Sequence, residues 1–237
     1  MYLGSLFRYY REKIRFQKKH SNLRMPVKRL ISEYGDWKKY RNRQSPMEDG
    51  VPWITFGATS FLKEHLREGM KAFEWGMGGS SVFLLNIGVS LVSIEHDVDW
   101  FKKASQDLGG NSSWSPTLIE PVKGREPNDP SDWSTYGSSH QEFLDASFEE
   151  YVRAIDKYDD QSLDVVLVDG RSRPSCFHHA LQKVRPGGFV LWDNTDRDTY
   201  YPEMDNVDPG EFKMFDFPGP SPYVTFFTRT TIWQRLG

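Results

Sequence analysis

The sequence of 237 residues has a single cysteine, Cys176, so neither an internal disulfide nor a multi-cysteine zinc site can form within it. It also lacks any apolar run near the roughly 20 residues that a transmembrane helix needs. The basic N-terminus has no uninterrupted apolar stretch leading to a small-residue cleavage site, as a signal peptide would. These absences favour a globular protein of a reducing compartment, which we expect to be the cytoplasm.

Charge is distributed unevenly along the chain, although the formal net charge is only -3. Residues 1–43 contain 13 Lys and Arg against 3 Asp and Glu, whereas the rest of the chain contains 17 against 30. Turn-forming residues follow this basic segment at positions 45–46 and 50–52. We therefore predict a basic helical arm over residues 1–51 and an acidic folded domain over residues 52–237.

The arm has the periodicity of a helix with one apolar face. Its apolar residues recur at helical spacing among basic ones, at Leu3, Leu6, Phe7, Tyr10 and Ile14. Pro26 should end this helix. Such an arm would dock on its own domain, join two copies of the chain in a homo-oligomer, or bind a polyanion. Because the apolar face suits docking or dimerisation at least as well, a nucleic-acid partner is not expected.

Strand and helix patterns alternate through the domain. Short, mostly apolar segments predict strands near residues 71–75, 90–95, 117–119, 163–168, 189–192, 212–217 and 224–233. Alternation of this kind produces a parallel sheet with helices on both faces. The last two strands have only a Pro-rich connection between them, which predicts an antiparallel hairpin. The predicted fold class is therefore α/β, with a Rossmann-like, mostly parallel seven-stranded sheet.

A glycine-rich turn follows the first predicted strand, in the sequence Glu74-Trp75-Gly76-Met77-Gly78-Gly79-Ser80. Ligands of such sheets bind beyond the carboxyl ends of the strands, and glycines let the backbone approach a ligand closely. A dinucleotide fingerprint would need a third glycine where this chain has Ser81. The structural alternative is an ordinary turn between a strand and a helix.

Glu95 ends the next predicted strand, 21 residues after Glu74. An acidic side chain at this point can accept hydrogen bonds from both hydroxyls of a ribose. Its structural alternative is a carboxylate that stabilises the start of the next helix, but Asp97 already occupies the N-cap position. Together with the glycine turn, Glu95 predicts an adenosine-containing ligand.

Two later strands also end in oxygen-bearing side chains, at Asp169 and at Asp193-Asn194. Carboxylate and amide oxygens are the ligands that Mg²⁺ prefers, so this trio is a candidate metal site. The alternative is that the aspartates cap the following helices or act as general bases. Arg171 and Arg173 come just after Asp169 and suit a carboxylate or phosphate of a substrate, or else they pair with nearby acidic residues.

These features together resemble the class I S-adenosylmethionine (SAM)-dependent methyltransferases. The resemblance covers the chain from about Trp53 to the C-terminal hairpin, which that family also has. It is strongest for metal-dependent O-methyltransferases of small molecules, such as the catechol and caffeoyl-CoA enzymes. In those enzymes an Asp ends the fourth strand and an Asp-Asn pair ends the fifth, as Asp169 and Asp193-Asn194 do here.

The resemblance implies methyl transfer to a hydroxyl of a small sugar or phenol. The residues that would bind SAM are Glu74, Gly76, Gly78, Gly79, Ser80 and Glu95. Asp169 and Asp193 would be catalytic, and with Asn194 they would bind Mg²⁺. Arg171 and Arg173 would orient the substrate, and the loop over residues 109–139 would contact adenine.

The sequence also departs from that family. The catechol enzymes have a lysine base three residues after the fourth-strand Asp, where this chain has Ser172, so the base is unassigned. The Asn/Asp-Pro-Pro-Tyr/Phe motif of amino-methylating nucleic-acid enzymes is absent. Three alternatives stay open: another SAM-site reaction such as aminopropyl transfer, a polyanion-binding protein that acts through its arm, and an NAD-linked reductase.

Overall fold

A seven-stranded sheet lies at the centre of the structure, a computed structural model that describes residues 2–126 and 129–237, with only the backbone for residues 2 and 3. The strands are β1 (Lys71–Trp75), β2 (Ser90–Glu95), β3 (Trp114–Leu118), β4 (Leu163–Val168), β5 (Val184–Asp193), β6 (Phe212–Pro220) and β7 (Phe227–Arg235). Their order is β3-β2-β1-β4-β5-β7-β6. The first five are parallel, and β7 runs antiparallel to β5 and β6, which confirms the predicted fold class.

Helices precede the sheet and connect its strands. They are α1 (Tyr2–Lys19), α2 (Val27–Ser32), α3 (Tyr34–Tyr40), α4 (Pro46–Asp49), α5 (Phe56–His65), α6 (Gly79–Ile87), α7 (Val98–Leu108), α8 (Glu149–Arg153), α9 (Arg173–Lys183) and α10 (Tyr201–Asp205). None of the described helices is long and apolar enough to cross a membrane.

Strand β4 shows how the sheet is covered on both faces. Val166 and Val168 pack in one apolar cluster, whereas Val165 and Leu167 pack in a second cluster. Successive side chains of a strand point to opposite faces, so a strand between two helical layers must be apolar at every buried position. The sheet thus presents its strand ends, rather than its faces, to a ligand.

The basic arm folds onto the domain. Tyr9 and Phe16 of α1 and Trp37 of α3 lie in one buried cluster with Phe227 of β7. The ring of Tyr9 lies 5.0 Å from that of Phe227, and its hydroxyl donates to the carbonyl of Leu30 over 2.9 Å. Docking on the chain's own domain was one of the predicted destinations. Association of two copies through the arm stays a prediction.

The face of α1 that docks is not the face that hydrophobicity predicted. Phe7 is 70% exposed and Ile14 is 50% exposed, and Leu6 and Tyr10 are also exposed. The side chain of Leu3 lies outside the described residues. The buried positions are Ser5, Tyr9, Glu12 and Phe16. A tyrosine ring can be buried at low cost in free energy when its hydroxyl has a hydrogen-bond acceptor, as that of Tyr9 does. A count of apolar residues leaves such a tyrosine out.

The end of the arm borders the carboxyl edge of the sheet. The backbone of Pro46 and Val51 packs against the first residue of α6, where a Cβ added to Gly79 would lie 2.2 Å from the Val51 carbonyl oxygen. Side chains at both sides of this contact, Pro46 and Trp53, reach the cavity described below. The arm and the domain therefore meet at the glycine turn.

Candidate functional site

A cavity of about 760 Å³ opens at the carboxyl ends of β1, β2, β4 and β5. Small-molecule sites commonly have about 300–1,000 Å³. Because these four strands are parallel neighbours, their last residues meet at one edge of the sheet. Every predicted site residue except Glu74 lines this cavity.

Two of the three glycines in the turn are required by packing within the protein. Gly76 has φ +89°, and a Cβ there would lie 3.0 Å from the Cα of Gly170. Gly79 is equally confined by Val51, as described above. A side chain at Gly78 would meet no described atom closer than 3.7 Å, so this residue leaves the backbone open towards the cavity. The sequence-based interpretation assigned all three glycines to a ligand.

Glu74 lies behind the turn, is fully buried and does not line the cavity. Its carboxylate accepts hydrogen bonds from the hydroxyls of Ser80 (2.8 Å), Ser93 (2.7 Å) and Ser81. Burial raises the pKa of Glu74 to about 7, although the three hydroxyl donors act in the opposite direction. In the described residues this carboxylate holds the turn and the first residues of α6, and its predicted contact with a ligand stays a prediction.

Glu95 is 3% exposed, and it lines the cavity. Its Oε1 accepts from the backbone N–H groups of His96 (2.8 Å) and Asp97 (2.9 Å), and its Oε2 accepts from that of Met77 (3.2 Å). Since each carboxylate oxygen can accept two hydrogen bonds, Oε2 retains capacity for a ligand hydroxyl. Asp97 caps α7 as predicted, with the backbone N–H of Trp100 donating to its carboxylate over 2.8 Å.

Trp100, Glu142 and Phe143 are among the residues of the cavity wall that sequence reasoning missed. The indole N–H of Trp100 donates to the Met77 carbonyl over 2.6 Å, which holds the glycine turn against α7. The ring of Phe143 lies 5.4 Å from that of His96. None of the described residues of the 109–139 loop lines this cavity, and its contact with adenine stays a prediction. An aromatic residue in the first turn after an acidic strand end could have indicated Trp100, whereas nothing local marks Phe143.

Arg173, the first residue of α9, lies between the two predicted catalytic aspartates. Its guanidinium is 2.9 Å from Asp169 Oδ1 and 4.0 Å from Asp193 Oδ2. It also donates to the carbonyls of Gly170 (3.0 Å), Asp193 (2.8 Å) and Asp169 (3.0 Å), and to Asn194 Oδ1 (3.2 Å). A guanidinium has five N–H donors, so these contacts leave none for a substrate. Arg173 thus forms the pairing with acidic residues that was its alternative interpretation, and its role towards a substrate stays a prediction.

Asp169, Asp193 and Asn194 come together as predicted, but their arrangement does not fit Mg²⁺. Oδ1 of Asp169 and Oδ1 of Asn194 accept from Arg173, and the Asp193 carboxylate accepts from Thr230 (2.5 Å) and from the Asn194 amide (2.7 Å). The Arg173 guanidinium already lies between the two carboxylates, and a second cation there would meet its repulsion. Among the residues that the structure describes, no group of three or more His, Cys, Asp or Glu is placed to hold a metal ion.

The two aspartates are electrostatically unequal. Burial raises the pKa of Asp193, the negative charge of Asp169 raises it further, and Arg173 lowers it. Burial also raises the pKa of Asp169, against the lowering effect of Arg173. The side chain of Asp169 is 21% exposed and that of Asp193 only 3%. Both carboxyls thus hold a proton more readily than an ordinary Asp, and Asp169 is the member open to the cavity.

Arg171 has a different environment from Arg173. Its Nε donates to Nε2 of His96 over 3.3 Å, and its guanidinium lies 5.6 Å from the ring centroid of Phe143. No ion pair joins it to a carboxylate in the described parts of the chain. Arg171, rather than Arg173, is thus the arginine whose donors face the cavity without an acidic partner.

No known family model matches the sequence, and no curated protein matches it either. Solved structures do share its fold. The O-methyltransferase TomG of Streptomyces achromogenes, solved in complex with SAM, is 16% identical with a TM-score of 0.54, over 83% of this chain and 92% of that one. An rRNA methylase of Streptococcus thermophilus is 12% identical with a TM-score of 0.52, over 76% and 95%. At these identities the likeness establishes the fold alone, which is the class I methyltransferase fold.

Proposed function

We propose that this chain transfers a methyl group from SAM to a hydroxyl of a small molecule. The observation that carries the proposal is Glu95, a buried carboxylate that opens into the cavity with an acceptor position free, beside the uncovered backbone of Gly78. Ribose hydroxyls would donate to Glu95, and the methionine part would lie along the turn. The residues that would hold the cofactor are Gly76, Gly78, Gly79, Ser80 and Glu95, supported from behind by Glu74.

The charge of this half of the cavity supports a cationic ligand. In the described residues, Glu95 pairs with no Lys or Arg side chain, and the carboxylates of Glu95 and Asp97 both line this half of the cavity. SAM carries a sulfonium and an ammonium group, whereas the pyrophosphate of a dinucleotide would be repelled. The aromatic side chains of Trp100 and Phe143 are candidates for the adenine contact.

The chain's own residues would supply alignment and a base. When bound, SAM provides a methyl group on an electron-poor sulfur, so the protein has only to orient and deprotonate the acceptor. Asp169 would take the hydroxyl proton at Oδ2, since Oδ1 is bonded to Arg173. Arg173 would hold Asp169 and Asp193 in place, and Arg171 would face the acceptor. Alignment of two reactants can lower a barrier by about 7–11 kcal/mol.

The first test is isothermal titration of SAM into the purified chain and into Glu95→Ala. Loss of hydrogen bonds to a charged acceptor should weaken SAM binding about 100-fold. Glu64→Ala removes an equal charge from an exposed position of α5 and should bind like the parent chain. Absence of SAM binding by the parent chain, or unchanged binding by Glu95→Ala, would refute the proposal.

A second candidate is methyl transfer to RNA. Basic side chains that are exposed on α1 favour a polyanion, at Arg8, Arg11, Arg15, Lys18 and Lys19. The Streptococcus thermophilus structure with this fold is an rRNA methylase. Transfer of label from methyl-labelled SAM to total RNA or to pooled phenols and sugars would distinguish the two acceptors. Transfer of an aminopropyl group would leave the methyl label on the cofactor product.

A further inference from the structure

A second, smaller cavity of about 150 Å³ lies beside the first one. Its walls come from the 137–140 segment, from the start of α9 and from Arg197 after β5. Gly170, Arg171 and Arg173 line both cavities, so the small one continues the acceptor side of the large one. Its volume is below the roughly 300–1,000 Å³ of common small-molecule sites, which suits a single chemical group rather than a whole substrate.

The charged residues that line this small cavity all have the same sign. They are Arg171, Arg173 and Arg197, and no Asp or Glu is among the described residues of its walls. The large cavity, in contrast, has carboxylates of Glu95, Asp97, Glu142, Asp169, Asp193 and Asp196 in its walls. The small cavity is therefore a positively charged compartment next to a mainly acidic one.

Two of the three arginines lack a carboxylate partner in the described residues. Arg171 donates to His96, and Arg197 donates to Asn194 Oδ1 (2.8 Å) and to the Tyr200 hydroxyl (3.0 Å). All three partners are neutral acceptors. Burial lowers the pKa of Arg171, and the charge of Arg173 lowers it further. A half-buried guanidinium without a counter-ion is unfavourable, and an anion would remove that penalty.

We propose that this small cavity binds an oxyanion of the methyl acceptor, a phosphate or a carboxylate, between Arg171 and Arg197. The inference rests on the proposed function and narrows the acceptor to an anionic hydroxyl compound. Arginine forks match the oxygens of such groups. The buried side chain of Ser138 is a further polar group in this wall. Binding there would anchor the acceptor while its hydroxyl reaches Asp169 in the large cavity.

The test is thermal unfolding of the full chain with inorganic phosphate or acetate replacing chloride at matched ionic strength. Either anion should raise the melting temperature in a saturable way. The stronger of the two identifies the group as phosphate or carboxylate. Arg171→Gln should weaken the apparent anion affinity about tenfold. Arg197→Gln, at an exposed position, should also weaken the anion affinity. This variant tests the inference if Arg171→Gln does not fold.

Arg8→Gln is the matched control, because it removes the same charge from an exposed position of α1. It should respond to the anion like the parent chain. SAM titrations of Arg8→Gln should also match the parent chain, since Arg8 lines neither cavity. An anion response that Arg171→Gln retains in full, or that bound SAM abolishes, would overturn the inference. Loss of SAM binding alone would refute the methyl transfer instead.

Discussion

On one side of the large cavity, at the ends of β1 and β2, carboxylates are held by neutral donors. Serine hydroxyls surround Glu74, and backbone N–H groups bind Glu95. On the other side, at the ends of β4 and β5, Asp169 and Asp193 share the guanidinium of Arg173. On both sides, the residues concerned are acidic residues at the ends of parallel strands.

The difference between the two sides is one of net charge. Neutral donors stabilise a carboxylate without cancelling its charge, so the side with Glu95 attracts a cation. The single positive charge of Arg173 offsets only part of the charge of Asp169 and Asp193, but Arg171 lines the same side without a carboxylate partner in the described residues, so this side suits a neutral or anionic group better. A sulfonium donor and a hydroxylated acceptor would each meet the side that suits them. The sides should therefore also differ in how they respond to mutation.

The largest effect is expected for Arg173→Met. This change leaves the buried Asp193 and the partly exposed Asp169 without their cation, and breaking a buried pair in this way destabilises a protein by about 3–5 kcal/mol. Urea denaturation of the parent chain and the variant gives the change in the free energy of unfolding. Adding Asp169→Asn and Asp193→Asn to the variant should restore most of the loss, because the unpaired charges are then gone.

Arg185→Met provides the matched control for that experiment. Arg185 also forms an ion pair with an aspartate, Asp164, but its side chain is 43% exposed. Exposed pairs contribute about 0–1 kcal/mol. Equal losses for Arg173→Met and Arg185→Met would contradict the view that a buried cation holds the acceptor side.

A smaller and pH-dependent effect on the free energy of unfolding is expected for Glu74→Gln, at the end of β1. The pKa of Glu74 is about 7 in the folded chain against an ordinary value of 4.5, because burial disfavours its charge. The folded state thus binds this proton more tightly than the unfolded state. The resulting stabilisation is fully present below about pH 4.5 and is lost as the pH rises to about 7.

Gln cannot ionise, so the variant does not lose this stabilisation as the pH rises. The free energy of unfolding of Glu74→Gln, relative to the parent chain, should increase by about 3 kcal/mol between pH 4.5 and pH 8. Urea denaturation at the two pH values measures it, and titration of all other groups cancels in the difference. A relative stability that stays constant, or that falls with pH, would show that Glu74 is ionised throughout.

The strand ends were predictable from sequence, whereas the partners of their side chains were not. Glu74, Glu95, Asp169 and Asp193 each follow a short apolar run, and a run of this kind is a local signal. Arg173 donates all its N–H groups to acceptors at the ends of β4 and β5. This depends on the direction of its side chain at the start of α9. Nothing in its sequence neighbourhood distinguishes it from Arg171, two residues earlier, whose donors face the cavity.

The arm shows the same limit on a larger scale. Its helix is evident from composition and spacing, but the docked face is decided by tertiary contacts of Tyr9 with Trp37 and Phe227. Those partners are distant in sequence or lie in another element. Hydrophobic periodicity therefore predicts well that a helix forms. When apolar residues lie on two faces of the helix, it predicts less well which face is buried.

The smallest of these effects is expected for Trp100→Phe. This change keeps an aromatic wall but removes the indole N–H that donates to the Met77 carbonyl. One neutral hydrogen bond contributes about 1 kcal/mol, so SAM affinity measured by titration should fall about fivefold. Trp133→Phe, at a tryptophan stacked on His178 outside the cavity, should leave the affinity unchanged. A loss as large as that of Glu95→Ala would mean that Trp100 itself contacts the ligand. Binding at the ends of β1 and β2 would then depend on one aromatic contact rather than on several weak donors.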